Sequence, residues 1–181
     1  QWQIREDIEA SGITKKFLSG YIPLYRDEDL QNPLLLERKD AEDLSDFKTG
    51  DPMTLNHIAA LSLSTDEKGS EALGVLKADV DYLGAIMACG LQENRHTLSR
   101  LAALSRQLNW FFTLYLPDRL PDSQEYRTVY TVFAGGDDLF LIWPWNSMLT
   151  LAGDIESDFK KYVCGNPHIH LSAGLSMHKP H

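Results

Sequence analysis

The chain has 181 residues, 43% of them hydrophobic and 24% charged, with a formal charge of −9. That is the size and mix of one globular domain, or of one domain with a smaller appended piece, and it excludes a disordered chain. The acidic balance excludes binding of phosphate backbones through bulk charge, and no apolar run approaches the ~20 residues of a membrane span.

Residues 1–6 carry no signal-peptide pattern. There is no initiator Met, and the chain stops at Lys179-Pro180-His181 just past an expected strand, so both ends read as cuts in a longer protein. Residues 4–8 read as a strand or a frayed helix, and 17–25 as extended structure stopped by proline. A charge-rich loop follows from Arg26 to Asp51, then a short helix over 53–63. The polar run Ser64-Thr65-Asp66-Glu67-Lys68-Gly69-Ser70 reads as a linker, with a boundary near residue 70.

Beyond it the patterns sharpen. Residues 72–79 predict a mostly buried strand, and 83–90 a short helix. Residues 96–115 predict a longer helix, with Leu101, Leu104, Leu108, Phe111, Phe112 and Tyr115 on one stripe, ended by Pro117 and Pro121. Two strand-like runs, 128–133 and 139–143, flank Gly135-Gly136-Asp137-Asp138 and predict a hairpin. A second amphipathic helix is expected over 147–163, stopped by Gly165, Asn166 and Pro167, and a last strand over 169–176. The order β, helices, hairpin, α, β is a split βαβ pattern: an α+β, ferredoxin-like palm whose antiparallel sheet carries helices on one face. Polymerase and nucleotide-cyclase palms share that arrangement, as do many binding domains, so the fold alone assigns no function.

The chemistry lies in two acidic segments. Asp79 and Asp81 close an apolar strand, which is expected to end at Asp79 before the chain turns into the helix at Leu83-Gly84. In the proposed sheet that strand neighbours the hairpin, so Asp137 and Asp138 come next to Asp79. Clustered carboxylates take up protons or hold cations. Hard oxygen ligands with a phosphate substrate point to Mg²⁺ or Mn²⁺, and two such ions about 4 Å apart serve in-line phosphoryl displacement. Gly135 and Gly136 permit positive φ and a close nucleotide approach. Gly84 stands where a helix start presents backbone N–H groups to phosphate. Each motif alone is ordinary, the first as a solvated strand end and the second as a turn; their combination is what points to a metal site.

Three blocks, residues 73–84, 133–142 and 171–175, together resemble the large subunit of type III CRISPR effector complexes in its Csm-type form. The resemblance covers residues 72–181 well and is loose before that, which assigns 1–70 to the end of a preceding connecting domain and 71–181 to a second palm. It implies a cytoplasmic enzyme that joins ATP by 3′–5′ linkages into cyclic oligoadenylates when the complex's guide RNA pairs with a foreign transcript. Its partners would be the other Csm subunits, with crRNA and target RNA reached through the complex. By the resemblance, metal ligands fall on Asp79, the Val80 carbonyl and Asp137, and the catalytic carboxylates are Asp79, Asp137 and Asp138. Alternation along a strand would turn Asp138 away from Asp137 and make it a hydrogen-bond anchor.

The family often has Asn where this chain has Tyr82. The family's N-terminal nuclease is not expected here, because no His-Asp pair occurs, and the first palm with its second ATP pocket is missing, so the chain alone is expected to be weak or inactive. Ser172 and Lys179 are further candidates for nucleotide contact. Lys77 reads as a solvated edge lysine, His168 and His170 as a polar edge, and Trp110, Trp143 and Trp145 as packing residues. Cys89 and Cys164 belong to no Cys-x-x-Cys, which leaves a zinc ribbon unsupported, and they are expected as buried thiols. Two competing readings are a GTP-using diguanylate-cyclase-like enzyme, against which Leu139 stands where that signature has Phe, and a non-catalytic scaffold palm, against which Asp79 and Asp137 are intact.

Overall fold

One antiparallel sheet organises the computed structural model, which describes residues 19–36, 46–63, 69–122 and 126–179. Its strands are β1 (Ser19–Tyr21), β2 (Leu73–Val80), β3 (Tyr130–Gly135), β4 (Asp138–Pro144) and β5 (Leu171–His178). They lie in the order β1-β3-β4-β2-β5, with every pairing antiparallel. β2 and β3 therefore run parallel with β4 between them, and β4 and β5 run parallel with β2 between them. Two interlocked split βαβ units of this kind are the ferredoxin-like arrangement that the element order predicts.

The described helices are α1 (Pro33–Leu36), α2 (Leu55–Ala60), α3 (Leu83–Cys89), α4 (Leu98–Trp110), α5 (Leu116–Asp122) and α6 (Trp145–Tyr162). A π-helical turn, Phe111–Tyr115, joins α4 to α5. Burial alternates along β2, with Gly74, Leu76, Ala78 and Val80 buried and Lys77 and Asp79 exposed. The buried set faces the helices, because successive strand residues point to opposite faces. Leu76, Val80, Leu139 and Leu141 meet Phe111, Phe112, Met148 and Phe159 in the main core. Leu83 and Ile86 from α3, and Leu116 and Leu120 from α5, join the same core, so α3, α4, α5 and α6 cover one face.

The segment before residue 64 adds to that frame. β1 pairs with β3 at Ser19↔Ala134 and Tyr21↔Thr131. A smaller cluster of Tyr25, Met53, Leu35 from α1 and Ile58 from α2 packs on Leu73 and Tyr130, which point to the face opposite α3, α4, α5 and α6. Arg127 grips the buried Asp29 with two hydrogen bonds of 2.8 and 2.7 Å. The expected extended segment shrinks to β1 and a bridge between Leu24 and Pro52, and the loop from Arg26 contains the short α1. The elements expected at residues 4–8, and most of the linker over 64–70, lie outside the described residues.

Four expectations are corrected. Pro117 and Pro121 do not end the long helix. The π turn resets the hydrogen-bond ladder, so Pro117 falls in the first turn of α5, where a missing N–H breaks no bond. Cys89 and Cys164 are free and exposed, one closing α3 and the other in the turn after α6 with φ 56°. Lys77 is not on an edge strand: β2 is central, and the side chain is solvated because its face of the sheet is open there. Of the described tryptophans only Trp143 is core, 3% exposed with its indole N–H on Thr128, while Trp110 is 45% exposed.

Gly74 sets how closely α6 sits on β2. A Cβ there would lie 2.9 Å from Met148 Cβ and 3.0 Å from Trp145 Cα. Overpacking of this kind costs about 1–3 kcal/mol. Gly74→Ala is therefore expected to lower the urea midpoint by that equivalent without changing the denaturant slope; an unchanged midpoint would show that α6 is free to shift.

Candidate active site

The β2–β4 register pairs Asp79 directly with Asp138, and the β3–β4 register closes the hairpin at Gly135↔Asp138. Only Gly136 and Asp137 remain for the loop. Gly136 takes φ 68°, and of the two loop residues it alone is in the positive-φ region, the pattern of a two-residue loop with glycine first. The Val80 N–H donates to the Asp137 carbonyl at 3.1 Å, drawing the loop over the end of β2. As a result, one carboxylate oxygen each from Asp79, Asp137 and Asp138 lies within 4.8 Å of the other two.

Among the described residues, no cationic side chain forms an ion pair with these three carboxylates. The Asp79 carboxyl titrates above its ordinary value, through partial loss of solvation, then the charges of Asp137 and Asp138 and a hydrogen bond with Asp138, with Lys77 pulling the other way. All three remain at least partly open to solvent. Open, oxygen-only and like-charged, the donor set fits a hard divalent cation.

The alternation argument for Asp138 fails for a local reason. Asp137 belongs to the loop and not to a strand, so the two carboxylates are free to converge, and Asp138 joins the cluster. Asp81 stays out of it. Its N–H donates to the His170 carbonyl at 2.9 Å, and its Oδ1 accepts from the Ser172 hydroxyl at 2.6 Å. Ser172 is itself opposite Asp79 across β2–β5, so it is brought to the site. Val80, Gly135 and Gly136 lie at the same strand end, and Gly84 is exposed in the first turn of α3 with open space around it. Lys179 is not brought there. It follows His178, which pairs with Leu73, six residues along β2 from Asp79, or about 20 Å at the rise of a strand. His168 and His170 are both exposed, and neither belongs to the acidic group.

Two features escaped sequence reasoning. Asn109 accepts the Gly136 N–H at 2.6 Å, yet in sequence it is one polar residue among several on an amphipathic helix. Between α3, α4 and the turn before β5, a pocket of about 510 Å³ is lined by Tyr82, Ile86, Leu104 and Ile169. Tyr82 stands at its mouth, 82% exposed and in the left-handed conformation at φ 55°. The pocket joins residues more than 80 positions apart, and no local pattern marks it.

A ferredoxin-like antiparallel sheet that gathers carboxylates at the end of its central strands defines a palm domain of the polymerase and nucleotide-cyclase class. The family described as Cas10/Cmr2, second palm domain, matches residues 72–181, and the chain belongs to that family. A relative from Methanocaldococcus jannaschii, named CRISPR system single-strand-specific deoxyribonuclease Cas10/Csm1 (subtype III-A), is 40% identical over 124 residues. The match takes in 64% of this chain and 15% of that protein's length. Among solved structures, a Csm1–Csm4 cassette in complex with cA4 superposes with a TM-score of 0.64 at 22% identity, over 91% of this chain and 20% of that one. A Csm1–Csm4 cassette in complex with pppApA gives 0.59 at 26% identity, over 72% and 19%.

The raised Asp79 value fixes a sign. Between its unfolded pKa, about 3.9, and its higher folded value, the native state binds more protons, so the contribution of Asp79 to stability falls as pH rises through that window. Asp79→Asn is expected to flatten that slope and to raise the cation-free melting temperature at neutral pH. Adding Mn²⁺ is expected to raise the melting temperature of the unmodified chain more than that of Asp79→Asn. Thermal scans across pH, with and without Mn²⁺, check both, and a Mn²⁺ response equal in the two chains would remove Asp79 from the ligand set.

Proposed function

We propose that this chain is the second palm of the large subunit of a type III-A CRISPR Csm effector complex, and that it joins ATP into cyclic oligoadenylates. The observation that carries this reading is the convergence of Asp79, Asp137 and Asp138 at one strand end. Further support comes from the family and from the pppApA and cA4 held by the Csm1–Csm4 cassettes of like fold. On this reading residues 71–181 are the palm and 1–70 the end of a preceding domain. The partners are the other Csm subunits, with crRNA and target RNA reached through them, in the cytoplasm.

In the proposed reaction a 3′-hydroxyl oxygen attacks the α-phosphorus of a second ATP. The new O–P bond forms as the α–β bridge breaks, pyrophosphate leaves, and the hydroxyl proton passes to solvent. Asp79, Asp137 and the Val80 carbonyl are the groups assigned to hold two ions, Mg²⁺ or Mn²⁺. These would supply charge neutralisation of the phosphates and a lowered pKa for the attacking hydroxyl. Asp138, opposite Asp79, completes the anionic set. Gly135 and Gly136 leave the hairpin backbone bare for close approach of the nucleotide, and Gly84 presents backbone to the phosphates. Ser172, through Asp81, fixes the turn that leads into α3. The apolar pocket beside Tyr82 has the size and lining for a purine.

The test uses the full-length protein in its assembled complex, with paired guide and target RNA, Mn²⁺ and either ATP or GTP. Mass spectrometry is expected to find cyclic adenylate oligomers from ATP, and none from the variant carrying Asp137→Ala with Asp138→Ala, while the complex still assembles. A cyclic GTP dimer would favour a diguanylate-cyclase-like enzyme, absence of any product a scaffold palm, and undiminished synthesis by the double variant would refute the site.

A further inference from the structure

Of the three clustered carboxylates, Asp137 is the one that no strand holds. Its two-residue loop is tethered at its first and last backbone groups. The Asp137 carbonyl, the last, accepts the Val80 N–H at 3.1 Å. The Gly136 N–H, the first, donates to Asn109 Oδ1 at 2.6 Å, and Asn109 lies in the last turn of α4, outside the sheet.

The Asn109 amide is oriented before it meets the loop. A backbone N–H can only donate, so the amide oxygen must face Gly136. The amide nitrogen then faces Thr113 Oγ1 at 3.4 Å, and that hydroxyl donates to the Asn109 carbonyl at 2.9 Å. Thr113 is 7% exposed and belongs to the π turn Phe111–Tyr115, whose Phe111 and Phe112 are fully buried in the main core. The hairpin also packs closely here: a Cβ on Gly135 would meet Thr113 Cγ2 at 3.4 Å and Asn109 Oδ1 at 3.6 Å. Widened helical turns of this kind recur at functional sites, and this one anchors a polar group that reaches the acidic loop.

We propose that Asn109 is a positioning residue for the acidic site: by holding the Gly136 N–H it fixes where the Asp137 carboxylate stands, and so sets the affinity of the site for divalent cations. The inference rests on the reading of Asp79, Asp137 and Asp138 as a cation site. A residue that only braced the helix against the hairpin would affect folding and leave cation affinity alone.

The experiment is a Mn²⁺ titration of the 181-residue chain, with free Mn²⁺ read by electron paramagnetic resonance and folding checked by circular dichroism. Asn109→Ala is expected to weaken Mn²⁺ binding about 10-fold or more, as loss of an outer-shell partner does, and to speed hydrogen exchange at the Gly136 amide. Asn109→Asp keeps an acceptor in place and is expected to restore both. Equal Mn²⁺ affinity in the unmodified and Asn109→Ala chains overturns this inference and leaves the cation site standing, as does an Asn109→Asp chain that binds no better than Asn109→Ala. If the unmodified chain binds no Mn²⁺, the cation reading fails and takes this inference with it. Should Asn109→Ala not fold, Asn109→Gln decides: its acceptor is displaced by one methylene, so weakened binding supports the proposal and unmodified affinity overturns it.

Discussion

Asp79 and Asp138 stand opposite each other because β2 and β4 are in one register and no other, and the site exists only in that register. A slip of one residue would turn Asp79 toward the helices and bring Ala78 or Val80 out to solvent. The buried alternation prevents it: Leu76, Ala78 and Val80 on one strand, and Leu139, Leu141 and Trp143 on the other, have their place in the main core. The bond from the Val80 N–H to the Asp137 carbonyl and the close seat of Met148 on Gly74 fix the same register from its two ends. Apolar packing thus holds together carboxylates that repel one another, and the titration of Asp79 is raised first by its lost solvation and then by that repulsion.

Short-range geometry then divides the acidic residues by task. In Asp79-Val80-Asp81 the strand ends after Val80, and the two aspartates take different partners. Asp79 stays with the hairpin, while Asp81 turns to the Ser172 hydroxyl and the His170 backbone. Tyr82, in the left-handed region, makes the turn that starts α3. A left-handed tyrosine is unfavourable unless its surroundings impose it, and the two bonds to Asp81 just before it supply part of that constraint.

The sequence exposed most of what periodicity can carry. The mostly apolar run before Asp79, the two strand-like runs around Gly135-Gly136, and the three-and-four spacing of Met148, Leu151, Ile155 and Phe159 each mark an element, and each element appears as expected. From element order and a single pairing assumption, the meeting of Asp79 with Asp137 and Asp138 followed as well. What stayed hidden depends on phase and direction. Lys179 follows the last strand as Asp138 follows the hairpin loop, but β5 runs away from the site, and strand direction is not a local signal. The placement of Asp138 turned on whether Asp137 lies in the strand or the loop, a difference of one residue. Pro117 looked like a stop because the π turn that accommodates it has no sequence mark, and the same turn hid Asn109 among the polar residues of α4.

The route by which the first part of the chain meets the hairpin follows from strand order. β1 pairs with β3, and its Ser19 is opposite Ala134, the residue before Gly135. At the other end of the same strand, Arg127 is bound twice by the buried Asp29, and the Tyr21 hydroxyl donates to the Arg127 carbonyl. β3 is therefore clamped at both ends by the segment before residue 64 and leads directly into the glycines of the loop. Spatial continuity is not coupling in itself. It does determine what any displacement of that segment must do: break a buried ion pair, or carry β3, and with it Gly135, relative to β2. The first is resisted by the cost of leaving the Asp29 carboxylate buried without its partner, and the second by the Gly135↔Asp138 and Asp79↔Asp138 pairings, so the acidic loop is held from both directions along the strand that delivers it.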